Sequence, residues 1–141
     1  MNQTAIFGPF LAMMGLTLVV WLFMYVKRIR FLNTVDIEPD ELTGAKLEEI
    51  SPRSVSNPSD NLKNLFEMPI LFYAMALYLH AVGQVDSVHL AAAWVFVAFR
   101  AAHSAVHCTR NPVMIRFGLY ALSSLALWFM VVRAALEFFA G

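Results

Sequence analysis

Three charged side chains stand inside otherwise apolar runs: Glu67, Arg100 and Arg116. A charge within a bilayer is costly, so each is a candidate for ligand or partner work before it is a candidate for packing. Their depths agree. With a helix starting near residue 60, Glu67 lies ~10 Å along the axis at ~1.5 Å per residue. Arg100 lies about as far from the end of its run near His107, and Arg116 is slightly shallower past Asn111. Asp60, Asn64 and Glu67 recur at i, i+4, i+7, and Arg100, His103 and His107 at i, i+3, i+7, with Ser104 beside them. Each set shares one stripe of a helix. A surplus of positive charge with an asparagine and two histidines suits an anionic ligand, and the bilayer side of the layer would admit an apolar one. The plainer alternative is a Glu67–Arg100 salt bridge that only locks the fold. It leaves Arg116, Asn64 and the histidines without a reason. Glu67 and Arg100 are expected to be coupled in either case.

The elements that must hold this layer follow from composition. The chain has 141 residues, 60% hydrophobic and 14% charged, with a mean hydropathy of +0.63. A soluble domain of this size could not bury that much apolar surface. The formal net charge is +0, which offers nothing to nucleic acid. The single cysteine, Cys108, excludes an internal disulfide and a multi-thiolate metal site, and no metal is expected. Cys108 and the methionines read as packing residues. Trp21, Tyr25, Trp94 and Trp128 read as lipid-facing or interfacial. His80 and His89 read as interface residues at the opposite rim rather than ligands.

The apolar runs do not alternate as barrel strands would, and lipid leaves unpaired backbone without partners, so the spans must be helices. The expectation is an all-α, integral membrane four-helix bundle with up-down topology, one domain over residues 1–141. Its helices are placed at about 5–30, 60–82, 88–107 and 112–138, with a polar loop over 31–59. A short helix is expected within that loop over residues 45–50. The first run lacks a basic leader and an Ala-x-Ala-like end, so it reads as an anchor that is kept. Pro69 cannot donate to the carbonyl of Leu65, which predicts loosening beside Glu67. Asn111-Pro112 predicts a helix start, with Asn111 as N-cap. Lys27, Arg28, Arg30, Lys46, Arg53 and Lys63 flank the first loop, and Arg110 and Arg116 the third. The basic bias places the long loop and the ligand layer toward the cytoplasm and both termini on the far side.

The string Asn64-Leu65-Phe66-Glu67, followed by Arg100-Ala101-Ala102-His103-Ser104 and by the arginine opening the last helix, resembles the MAPEG superfamily, the membrane-associated proteins of eicosanoid and glutathione metabolism. The likeness runs from Lys27-Arg28-Ile29-Arg30 to the last helix and is strongest to the microsomal prostaglandin E synthase-like members. It implies a homotrimer binding glutathione between subunits near the cytoplasmic side. It assigns thiolate stabilisation, the catalytic role, to Arg116. It assigns glutathione contacts to Arg28, Arg30, Lys63, Asn64, Glu67, Arg100, His103 and Tyr120, with His107 standing where the family has a tyrosine. Asp60 and Lys63 replace arginines of the family motif, and Phe117 replaces a serine, which argues against prostaglandin isomerisation. The reaction expected is that of a glutathione-dependent transferase or peroxidase acting on lipophilic electrophiles from the membrane. The alternative is a non-catalytic lipid-binding or scaffold protein of the same superfamily. A transporter using Glu67 as coupling carboxylate is disfavoured by the expected match with Arg100.

Overall fold

The computed structural model describes residues 2–140, and among these there are helices and connecting turns but no strand. The first helix, α1 (Phe7–Leu32), is entered through a 3₁₀ turn at Gln3–Ile6. It buries Met13, Val20 and Met24 on one face and leaves Leu11, Leu18, Leu22 and Phe23 outward, as a helix in lipid requires. A polar connection follows, containing the short α2 (Gly44–Ile50). Thr43 caps it by accepting from the Lys46 amide at 3.2 Å.

The expected second helix differs most. Helix α3 (Arg53–Leu65) begins seven residues before the predicted start at 60, inside the predicted loop. Pro52 sits just outside its first turn, and Pro58 costs only one backbone bond, so neither proline stops it. The chain then breaks at Phe66 and Glu67, whose ψ values are 14° and −99°. Pro69 has no N–H for the Leu65 carbonyl and its ring clashes there, so the helix restarts as α4 (Met68–Ala81). The single helix expected over 60–82 is therefore two. At ~1.5 Å per residue α4 alone falls short of a ~30 Å hydrocarbon core.

Helix α4 closes on Gly83, whose φ is 72°, with Gln84 N–H donating to the Leu79 carbonyl at 2.9 Å and Gly83 N–H to that of His80 at 3.3 Å. Only glycine takes that backbone without strain, and the paired bonds satisfy the last carbonyls. Asp86 caps α5 (Ser87–Cys108) by accepting from the His89 amide at 2.8 Å. The last helix is α6 (Val113–Ala140).

Contacts fix the directions. The start of α5 meets the late part of α6 through His89 and Arg133, and its end meets the start of α6 through His107 and Arg116. These two helices are antiparallel. The α3–α4 pair runs antiparallel to α1, from Arg28–Ser59 at one end to Phe7–His80 at the other. Between these ends the core is apolar. Phe72 stacks on Phe96 at 4.5 Å, and Met13, Leu79, Leu127 and Met130 are fully enclosed. Three helices are long and apolar enough to cross a membrane: α1 with its leading turn, α5 and α6.

Candidate functional site

The end of the bundle that carries the long loop holds a cluster of polar side chains drawn from α3, α5 and α6. Arg100 is fully buried on α5. Its Nη2 donates to the Asn64 carbonyl at 2.6 Å, and its guanidinium lies over the Tyr120 ring at 5.4 Å. The Asn64 carbonyl is available because α3 is ending there, with Phe66 and Glu67 turning away from helical geometry. One turn on, His103 stands edge-on to His107 with ring centres 5.5 Å apart, and 6.0 Å from Tyr120. Arg116 enters from the first turn of α6 and donates to Nε2 of His107 at 3.2 Å and Oδ1 of Asn111 at 2.8 Å.

Around these groups opens a cleft of about 390 Å³, lined by Asp60, Asn64, His103, Arg116, Phe117 and Tyr120 among others. That is within the ~300–1,000 Å³ range of small-molecule sites. Several enclosed polar atoms have no partner among the described residues: Nε and Nη1 of Arg100, Nδ1 of His103 and Nδ1 of His107. Buried polar atoms are ordinarily satisfied, so these hold hydrogen-bonding capacity open to water, a ligand or another subunit. The unpaired cationic donors suit a carboxylate, and the imidazoles beside Arg116 suit a polar, anionic ligand rather than an apolar one.

The residues expected at the site divide. Asn64, Arg100, His103, His107, Arg116 and Tyr120 converge. Glu67 does not, and it makes no ion pair with Arg100 among the described residues. The break before α4 turns it off the Asp60–Asn64 stripe, and its side chain is exposed. The expected intramolecular salt bridge is thus replaced by the Asn64 carbonyl. Lys63 is exposed and pairs with Asp60 at 3.2 Å. Arg28 donates to Ser59 at 3.0 Å and lines a separate cleft of about 310 Å³ between α1, α2 and α3. Arg30 is exposed, with no hydrogen bond or ion pair among the described residues.

Three asparagines lie in or beside this cluster without having been expected there. Asn57 and Asn61 lie buried on α3, and Asn61 reaches Ser104 at 3.4 Å and Cys108 at 3.5 Å. Asn111, expected to cap α6, does not. Its φ is 53°, outside cap geometry, and its side chain binds Arg116 and Asn57 instead. The signal for the first two lies in the spacing of Asn57, Asn61 and Asn64 at i, i+4, i+7.

The opposite end is also polar, and there His89 is fully buried rather than interfacial. Arg133 donates to Asp86 from both terminal nitrogens, to His89 at 3.1 Å, and pairs with Glu137 at 2.9 Å. These hydrogen bonds from Arg133 hold the Asp86 carboxyl well below the usual carboxylate range. Asp86, His89 and Glu137 lie close enough together to resemble a cation site in geometry, but the Arg133 guanidinium already occupies the space between them.

Comparison with known proteins gives one family model, described as the MAPEG family, which matches residues 6–136. No curated protein and no solved structure matches the chain.

Proposed function

This chain belongs to the MAPEG family and is an integral membrane protein, and on that premise we propose that it binds glutathione in the α3–α5–α6 cleft and activates its thiol against lipophilic electrophiles. The observation that carries the reading is Arg116 in the cleft wall, with the unsatisfied, buried donors of Arg100 against Tyr120 of the same wall. Glutathione is a peptide with two carboxylates and an ammonium, and its thiol would supply the nucleophile. Arg100 offers the unpaired N–H groups of its Nε and Nη1 to a carboxylate, and Asp60 at the mouth offers a carboxylate to the ammonium. Arg116 favours the thiolate electrostatically. A close cation lowers such a pKa by about 1–3 units, worth ~1.36 kcal/mol each. The sulfur then bonds to the electrophilic carbon as the leaving group departs.

In this reading the α3–α4 pair supplies a fourth crossing, since it runs alongside α1 from end to end. The basic residues near the long loop favour a cytoplasmic position for the cleft. The assembly is a homotrimer, as the resemblance implies. Exposed Glu67, beside exposed Phe66, suits contact with another copy.

Adding glutathione to the purified protein should produce thiolate absorbance, and a reactive aryl halide should be conjugated. Arg116→Ala should cut thiolate formation and conjugation at least tenfold while weakening glutathione binding only severalfold. Equal activity in both proteins rejects the role given to Arg116. One observation favours a second reading, a non-catalytic lipid-binding or scaffold role. The cleft rim at Val113 and Phe117 is 62% and 65% exposed, an apolar lip suited to lipid. Glutathione binding with no thiolate and no turnover would select it.

A further inference from the structure

Arg116 at a membrane boundary could simply extend its long side chain to the interface. Its contacts argue otherwise. Nη1 has two hydrogens, and both are committed, to Asn111 Oδ1 at 2.8 Å and His107 Nε2 at 3.2 Å. Of the five N–H groups of a guanidinium, three remain, two on Nη2 and one on Nε. Asn111 is itself held at two further points. Its amide N–H donates to the Val106 carbonyl at 2.9 Å, and its Nδ2 donates to Asn57 Oδ1 at 3.0 Å. Because Nδ2 faces an acceptor, Oδ1 is turned toward the arginine. Its φ of 53° is a backbone region that asparagine tolerates better than most residues. Asn57 is 9% exposed on α3, so the orientation of an α6 side chain is set by all three helices around the cleft.

We propose that Asn111, braced by Asn57, and His107 are positioning residues that lock Arg116 by its Nη1 nitrogen and turn its Nη2–Nε edge toward the ligand sulfur. The inference deepens the glutathione reading and rests on it for the identity of that sulfur. A locked cation needs no reorganisation when the thiolate forms, and that is where fixed charges contribute most to chemistry.

The test uses the full-length protein in detergent. Arginine-selective ¹⁵N NMR without ligand should show distinct, protected Nη resonances for Arg116. Asn111→Gly, which keeps the backbone conformation open, should merge them, as should Asn57→Ala. Asn57→Asp, which keeps an acceptor for Nδ2, should retain them. With glutathione, Asn111→Gly and Asn57→Ala should lower the thiolate fraction roughly tenfold and change the glutathione Kd by less than threefold. Merged resonances in the wild type, or unchanged ones in both loss variants, overturn the proposal. So does a thiolate loss that only parallels a lost melting transition and lost binding. Distinct resonances that respond as expected, in a protein that forms no thiolate at all, would uphold the locking of Arg116 and defeat the glutathione function instead.

Discussion

Replacing Arg100 by methionine removes a buried cation and leaves an apolar side chain of similar length. In the chain alone, Arg100 makes one charge-assisted hydrogen bond, to the Asn64 carbonyl, and one ring contact, to Tyr120. Losing the first costs ~1.5–3 kcal/mol and losing the second ~0.5–2 kcal/mol. Against this stand two enclosed nitrogens with no partner among the described residues, Nε and Nη1. Relieving each returns ~1–3 kcal/mol. The two sides cancel to within about 2 kcal/mol, so Arg100→Met should melt close to wild type without ligand. With glutathione the two proteins should part. A ligand at a hundredfold excess over its Kd stabilises by ~2.7 kcal/mol, roughly 10 °C in a domain of this size, and the variant should lose that gain. The assay is a melt in detergent with and without glutathione. A ligand-free variant melting more than roughly 10 °C below wild type would refute the reasoning, because the nitrogens must then be satisfied in the native assembly. In that event Glu67→Gln should reproduce the loss, since an adjacent copy would be supplying that carboxylate.

The remaining predictions concern the elements that hold the layer. Asp86 is held below its ordinary pKa by Arg133, so its contribution is fully present above the unfolded value of ~3.9 and is lost as pH falls below it. With its side chain 41% exposed, solvent screens the pair to about 1 kcal/mol or less, and Asp86→Asn should flatten the acid limb of a melt-versus-pH curve. Pro69→Ala restores an N–H for the Leu65 carbonyl and should join α3 to α4, seen as slower amide exchange at Phe66 and Glu67; exchange as fast as in wild type would show that the proline does not cause the break. Gly83→Ala, at φ 72° with open space around the new carbon, should cost about 1 kcal/mol in a melt from backbone strain alone.

Periodicity serves well wherever a run is long and uninterrupted. The expected helices at 5–30, 88–107 and 112–138 lie within two residues of α1, α5 and α6, because an apolar stretch that must satisfy its own backbone has only one solution. It fails at prolines, in both directions. Pro52 and Pro58 fall in the expected loop, yet one precedes α3 and the other lies inside it at the cost of a single backbone bond. Pro69 predicts a loosened helix, yet it ends one. That break decides the fate of Glu67. A stripe drawn through Asp60, Asn64 and Glu67 assumes an unbroken 3.6-residue turn, and two residues out of helical geometry are enough to rotate the last member off it.

The cationic part of the site is legible because charge inside an apolar run is conspicuous. Its neutral scaffolding is not. Asparagine at a helix end reads as a cap, and asparagine on a polar helix reads as solvated surface, so nothing local in the sequence marks Asn57 and Asn111 as partners. Their role needs a contact between residues 54 positions apart that only the assembled bundle provides. The same contact explains why Arg116, unlike exposed Arg30, is held in place. A guanidinium anchored on two acceptors cannot swing to the interface without leaving the amide oxygen of Asn111 and an imidazole nitrogen of His107 without their donor. In the proposed reading, what fits Arg116 for chemistry is therefore carried as much by uncharged residues on its neighbours as by its own charge.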